Sequence, residues 1–147
     1  PDRSSEDAQA RNGYISEAAG QKAAFSGDTR YCRALIEASR GADVLVHECF
    51  IHREMLLLPG VRTPETLANV AAYHTLSTEV GKVAAQAAAR SLILNHFVPV
   101  AFDRAALLAD IRTDYRGPVL VGEDLMQFDC ATRTVTYGTA MIGVPAV

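Results

Sequence analysis

Three short runs in this chain are apolar at every position: Val44-Leu45-Val46, Leu92-Ile93-Leu94 and Val119-Leu120-Val121. A strand with one wet face alternates apolar and polar residues, so unbroken runs belong to strands wanting cover on both faces. Between them the apolar spacing turns helical. Cys32, Leu35 and Ile36 fall on one helix face, and Gly41 supplies a stop. Pro64 suits the first position of a helix running to about Ala72. Val80, Val83, Ala84, Ala87 and Ala88 line a stripe behind a cap at Ser77 or Thr78. Leu107, Leu108, Ile111 and Tyr115 mark a further helix, stopped by Gly117-Pro118. Hairpins are expected about Ala19-Gly20 and between Leu125–Asp129 and Thr134–Tyr137. Strands alternating with helices define an α/β domain whose sheet is covered by helices.

The domain is expected over residues 13–147, behind a polar tail or linker at 1–12 that lacks hydrophobic periodicity. Phe50 to Pro64 has no clean period and reads as a loop or short helix covering something. With 49% hydrophobic and 21% charged residues, the chain is neither disordered nor fibrous. Fourteen Lys and Arg against seventeen Asp and Glu leave a net charge of −3, with the basic residues scattered. That argues against electrostatic nucleic-acid binding, which needs a clustered positive field, and leaves open only a basic exosite elsewhere. No apolar run approaches a membrane span. Three widely spaced cysteines, Cys32, Cys49 and Cys130, form neither a disulfide framework nor a CxxC metal site. With no signal-type segment at Pro1, a reducing, cytoplasmic setting is expected.

Ligand sites in open α/β sheets lie at the carboxyl ends of the strands. Here those ends carry titratable or metal-capable residues: Asp28, His47-Glu48, His96 and Glu123-Asp124, with His74 in the loop before the long helix. Each also has a plain structural reading. Asp28 can cap the following helix, His47 can be a hydrogen-bonded core histidine, and His96 can be a packed loop residue. Glu123-Asp124 suits turn hydrogen bonds, and His52 a solvated helix. Glu48 is harder to set aside, because a buried carboxylate needs a partner.

Taken in order, Phe25-Ser26-Gly27-Asp28-Thr29, Val44-Leu45-Val46-His47-Glu48, His74-Thr75 and Leu94-Asn95-His96-Phe97 resemble the second half of a metallo-β-lactamase-fold hydrolase. The ribonuclease Z and arylsulfatase-like branch is the most similar, and the 22-residue step from His74 to His96 suits it. The resemblance covers about Gly13 to Asp129. It implies the C-terminal half of an αββα sandwich, with a mixed sheet covered by helices on one face. It implies Asp28 as a ligand bridging two zinc ions, His96 as a terminal ligand, and His74 oriented by Glu48 as proton donor to the leaving group. The implied reaction is cleavage of a phosphodiester, sulfate ester or lactone, in a small molecule or nucleotide, by metal-activated water.

The HxHxDH motif of the family's first half is absent from this chain. Asp28 and His96 alone do not close a zinc site, so zinc is expected to be absent or partial here and complete in a longer parent. The non-Met start at Pro1 favours a fragment of such an enzyme. Two other readings remain open. One is a binding or assembly module that kept the fold and lost the metal; the other is an unrelated doubly wound domain. The helices suffice for one face of the sheet, so the other is expected to pair with a second copy, as a homodimer, or with the missing N-terminal half.

Overall fold

The computed structural model describes residues 13–145, so the expected tail at 1–12 lies outside the described residues. A hairpin opens the fold: β1 (Tyr14–Ala18) and β2 (Gln21–Phe25) are antiparallel, with Ala18 opposite Gln21. Ala19 and Gly20 both take positive φ, the two-residue turn that matches strand twist. The chain continues through α1 (Arg33–Ala38), β3 (Val44–Phe50), a 3-10 turn (His52–Glu54), α2 (Pro64–Ala71) and α3 (Ser77–Gln86). Then come β4 (Leu92–Val98), α4 (Arg104–Arg112) and β5 (Val119–Val121). The five strands form one sheet in the order β1-β2-β3-β4-β5, parallel from β2 onward. A separate antiparallel meander closes the described chain: β6 (Gln127–Asp129), β7 (Thr134–Tyr137) and β8 (Ala140–Gly143).

The main core lies on one face of the sheet. Leu45, Cys49, Leu92 and Leu94 point at Val80, Val83, Leu107 and Ile111 of α3 and α4. α2, capped by the Thr63 hydroxyl, buries no side chain and sits outside this layer. The opposite face is only partly finished. Val44 and Ile93 are buried there, while Val46 and all of β5 stay half-buried. A cleft of about 460 Å³ runs between Ala23, Val44, Val46 and Ile93 on the sheet and Met126 and Phe128 at the start of the meander.

Several local expectations change. β3 and β4 run on past His47-Glu48 and His96, which lie inside the strands, because both strands keep pairing out to Phe50 and Val98. Ser77 is the first residue of α3 and no cap, because its hydroxyl donates to Asp110 Oδ2 at 2.7 Å. The Glu79 carboxylate instead accepts the Leu76 N–H at 3.4 Å. The Phe50–Pro64 segment covers little: Leu56, Leu57 and Leu58 are exposed around a small Leu58–Arg62 bridge. β8 was not foreseen, since Thr139 to Gly143 shows no clear alternation.

α3 and α4 meet at Gly81, where an added Cβ would stand 2.5 Å from the Ile111 carbonyl oxygen. Gly81→Ala is therefore expected to wedge the helices apart and cost about 1–3 kcal/mol, as overpacking does. Thermal melts of the two proteins would show it as a lower midpoint.

Candidate metal and proton-transfer site

The site is built on the carboxyl edge of the parallel strands, and its centre is Glu48. This side chain is 1% exposed, on the central strand β3. Its Oε1 accepts the Thr75 backbone N–H at 2.6 Å, and its Oε2 is hydrogen-bonded to Nδ1 of His74 at 3.0 Å. Thr75 is pinned in turn. Its hydroxyl donates to the Thr29 carbonyl at 2.6 Å, and its own carbonyl accepts the Phe50 N–H at 3.0 Å. The Glu48 N–H donates to Ser26 Oγ at 3.0 Å, and that hydroxyl donates to the Gly27 carbonyl at 2.8 Å. Gly27 has φ +58, a left-handed value that glycine adopts freely, and it turns the chain from β2 into Asp28.

His96 arrives by another device. Glu48 pairs with Asn95 and Cys49 with Phe97, so His96 is the extra residue of a bulge in β4, with φ +42. A bulge re-aims a side chain that regular alternation would send elsewhere. Its Nδ1 stands 3.2 Å from Asp28 Oδ1, and its ring centroid is 5.5 Å from that of His74. The Phe50 ring backs His74 at 6.0 Å.

Asp28, Glu48, His74 and His96 thus converge from four separate segments. One donor atom each from Glu48, His74 and His96 falls within 4.8 Å of the others, a group unmatched among the described residues. Asp28 touches that group through His96 and is 64% exposed. Two imidazoles and carboxylate oxygens make a donor set that suits zinc-class divalent ions. The residues fit a metal.

His47 is placed elsewhere. It is fully buried, its Nδ1–H donates to the Glu48 carbonyl at 2.7 Å, and burial lowers its pKa to about 4. It is a neutral core histidine. Glu123 pairs with Arg104 and, with Asp124, borders the open cleft. His52 lies exposed in the 3-10 turn. Sequence reasoning did not single out Ser26 and Thr75. The available signal was a hydroxyl residue next to each candidate in Ser26-Gly27-Asp28 and His74-Thr75.

Burial pushes the Glu48 carboxyl up to about 8, against the N–H groups of Thr75 and Thr29 and the nearby His96, which pull it down.

No family model matches the chain. Over 106 residues it is 36% identical to the ribonuclease Z of Myxococcus xanthus, covering 71% of this chain and 31% of that protein. Over 115 residues it is 35% identical to the ribonuclease Z of Methanosarcina mazei, covering 78% and 34%. The chain spans about a third of the length of these curated relatives. Its fold matches the metallo-beta-lactamase fold protein YhfI of Bacillus subtilis, with TM-score 0.56 and 23% identity, over 74% of this chain and 40% of that one. The chain is a metallo-β-lactamase-fold protein, matched over part of that fold. Within that class its sequence is similar to proteins named ribonuclease Z.

The raised Glu48 pKa carries a pH signature in the metal-free chain. Between its ordinary value of 4.5 and about 8 the folded state holds a proton that the unfolded state has lost. The stability this contributes is complete below the lower value and disappears as pH rises to the upper one. The melting temperature in chelator is therefore expected to fall more steeply from about pH 5 to about pH 8 than that of Glu48→Gln. Parallel slopes would contradict the burial argument.

Proposed function

We propose that this chain supplies the C-terminal part of a metal-dependent hydrolase that cleaves a phosphodiester by activated water. The observation that carries this reading is the His74–Glu48 pair at 3.0 Å beside His96 and Asp28. The ribonuclease Z relatives favour a phosphodiester over the sulfate esters and lactones that the same chemistry would serve. A divalent metal bound here, zinc by donor type, would acidify a water and polarise the ester.

The protein's own residues have distinct parts in this scheme. Asp28 and His96 would hold the metal, together with ligands from outside this chain. Glu48 holds the His74 ring through Nδ1, which leaves Nε2 to carry a proton toward the leaving oxygen. Thr75 and Ser26 fix Glu48 and β3, so the ring direction is set by backbone rather than by a free rotamer. In a protein that includes the rest of the fold, His74→Ala is expected to lower kcat by about 10²–10⁴-fold, the range of general acid catalysis. KM should change far less. A nitrophenyl phosphodiester with an activated leaving group should recover part of the loss, because it needs no proton. Equal losses on activated and unactivated esters would remove His74 from the proton-donor role.

We further propose that the unfinished sheet face is covered by the remaining part of the fold. Support comes from the short span of the relatives' length and from the cleft over Val44, Val46 and Ile93. Alone, the 147-residue chain should pair face to face with a second copy, so light scattering at micromolar concentration should give at least twice 15.8 kDa. A stable, well-folded 15.8 kDa monomer would refute the need for cover.

A further inference from the structure

We infer that Asp110, on α4, is a positioning residue for His74 and acts on it through Ser77 and Arg53. Its Oδ2 accepts the Ser77 hydroxyl at 2.7 Å and also pairs with the Arg53 guanidinium. Ser77 opens α3 three residues after His74, and Arg53 lies in the 3-10 turn three residues after Phe50. The two segments meet behind the His74 ring. The Phe50 ring stands 6.0 Å from it, the Phe50 N–H donates to the Thr75 carbonyl at 3.0 Å, and Leu76 forms a parallel bridge with Phe50. Glu48 holds the front of the same loop through His74 Nδ1 and the Thr75 N–H. His74 is thus suspended between two carboxylates on different elements.

Packing alone does not need this tie, because Val80, Val83, Leu107 and Ile111 already join α3 to α4. An ion pair whose members are 33% and 18% exposed adds little stability of its own. What the carboxylate adds is registry: one oxygen fixes the start of α3 and the 3-10 turn to the same point of α4. The turn is held at further points as well. The Glu54 carboxylate takes the Asp103 N–H at 3.1 and 2.9 Å, and the Ile51 N–H donates to the Val98 carbonyl at 2.7 Å. A proton donor works only within hydrogen-bond reach of its target, and a displacement of about 1 Å can cost roughly 10²-fold in rate. The kinetic consequence rests on the reading of His74 as proton donor; the placement of its ring does not.

The test is a double-mutant cycle in a protein that includes the rest of the fold, run on two phosphodiesters, one with a nitrophenyl and one with an alkyl leaving group. Melting of each variant checks folding. Asp110→Ala should lower kcat on the alkyl ester about 10–100-fold, with KM and the nitrophenyl rate changed less than about threefold. In a His74→Ala background the same substitution should cost less than about threefold on either ester, because a residue that acts through the ring has nothing left to position. Asp110→Asn keeps an acceptor for the Ser77 hydroxyl and should recover most of the loss. Ser77→Ala removes a single hydroxyl, should reproduce part of the loss, and decides the matter if Asp110→Ala does not fold. In nuclear magnetic resonance of the isotope-labelled protein, the His74 ring signals should be single and narrow, and broadened or doubled in Asp110→Ala and Ser77→Ala. The inference is overturned if Asp110→Ala keeps native kcat while His74→Ala loses it, if the losses add in the cycle, or if the ring signals do not change. A His74→Ala loss equal on the two esters overturns the proton-donor reading instead, and leaves the cycle and the ring signals to judge Asp110.

Discussion

Glu48 is a carboxylate on the central strand of a sheet, and burial of such a group without partners would cost several kcal/mol. Its partners come from a distant part of the chain: the ring of His74 and the backbone of Thr75, 26 and 27 positions on. Satisfying Glu48 therefore fixes where the loop before α3 must sit. The Thr75 hydroxyl and carbonyl extend the tie to Thr29 after β2 and to Phe50 on β3. Three segments that share no regular hydrogen-bond ladder at this edge are thus held by one carboxylate and one threonine. Such a network is worth its burial only when every member is paired, and here the hydrogen bonds close on backbone groups that cannot wander.

The β4 bulge does what this network cannot. Regular pairing would have put His96 opposite Cys49, inside the face that α3 and α4 cover. The inserted residue at φ +42 turns it outward, toward Asp28 and His74. A non-glycine residue in that region carries local strain, which persists only where surrounding pairing over-determines it. Pairing resumes at once with Phe97 opposite Cys49, and Val98 opposite Phe50. The strand holds the strain on both sides, and the histidine it displaces belongs to the candidate site.

The architecture was legible in the sequence because the apolar runs and helical stripes report burial directly. Val44–Val46 and Leu92–Leu94 gave the parallel strands, and the Val80–Ala87 stripe gave α3. Strand ends were not legible, because backbone pairing continues under polar side chains: β3 runs through Glu48 and β4 through His96. The Ser77 cap failed for a tertiary reason, since its hydroxyl finds Asp110 across the helix pair, 33 positions away. The candidate residues were visible as chemistry-bearing types at strand edges and through their resemblance to a known motif order. Ser26 and Thr75 were not, since a hydroxyl that braces backbone resembles any other loop hydroxyl. The distinction between His47 and His96 was also hidden. Both sit in apolar strands, and only alternation and the bulge decide that one faces the helices and the other the open edge.

The two faces of the sheet differ in how complete they are, and this bears on the site. Leu45, Leu92 and Leu94 are sealed under α3 and α4, so the strands carrying Glu48 and His96 have a rigid backing. On the other face Phe25 is 40% exposed and Val46 half-buried, with an open cleft beneath Met126 and Phe128. His96 and Asn95 line that same cleft, so its rim and the candidate site share residues. Whatever covers the apolar floor must come up against His96. Val44 and Ile93 are already buried on this face, so the apolar surface still open there, Phe25 and Val46, lies beside the histidine that the bulge turns out.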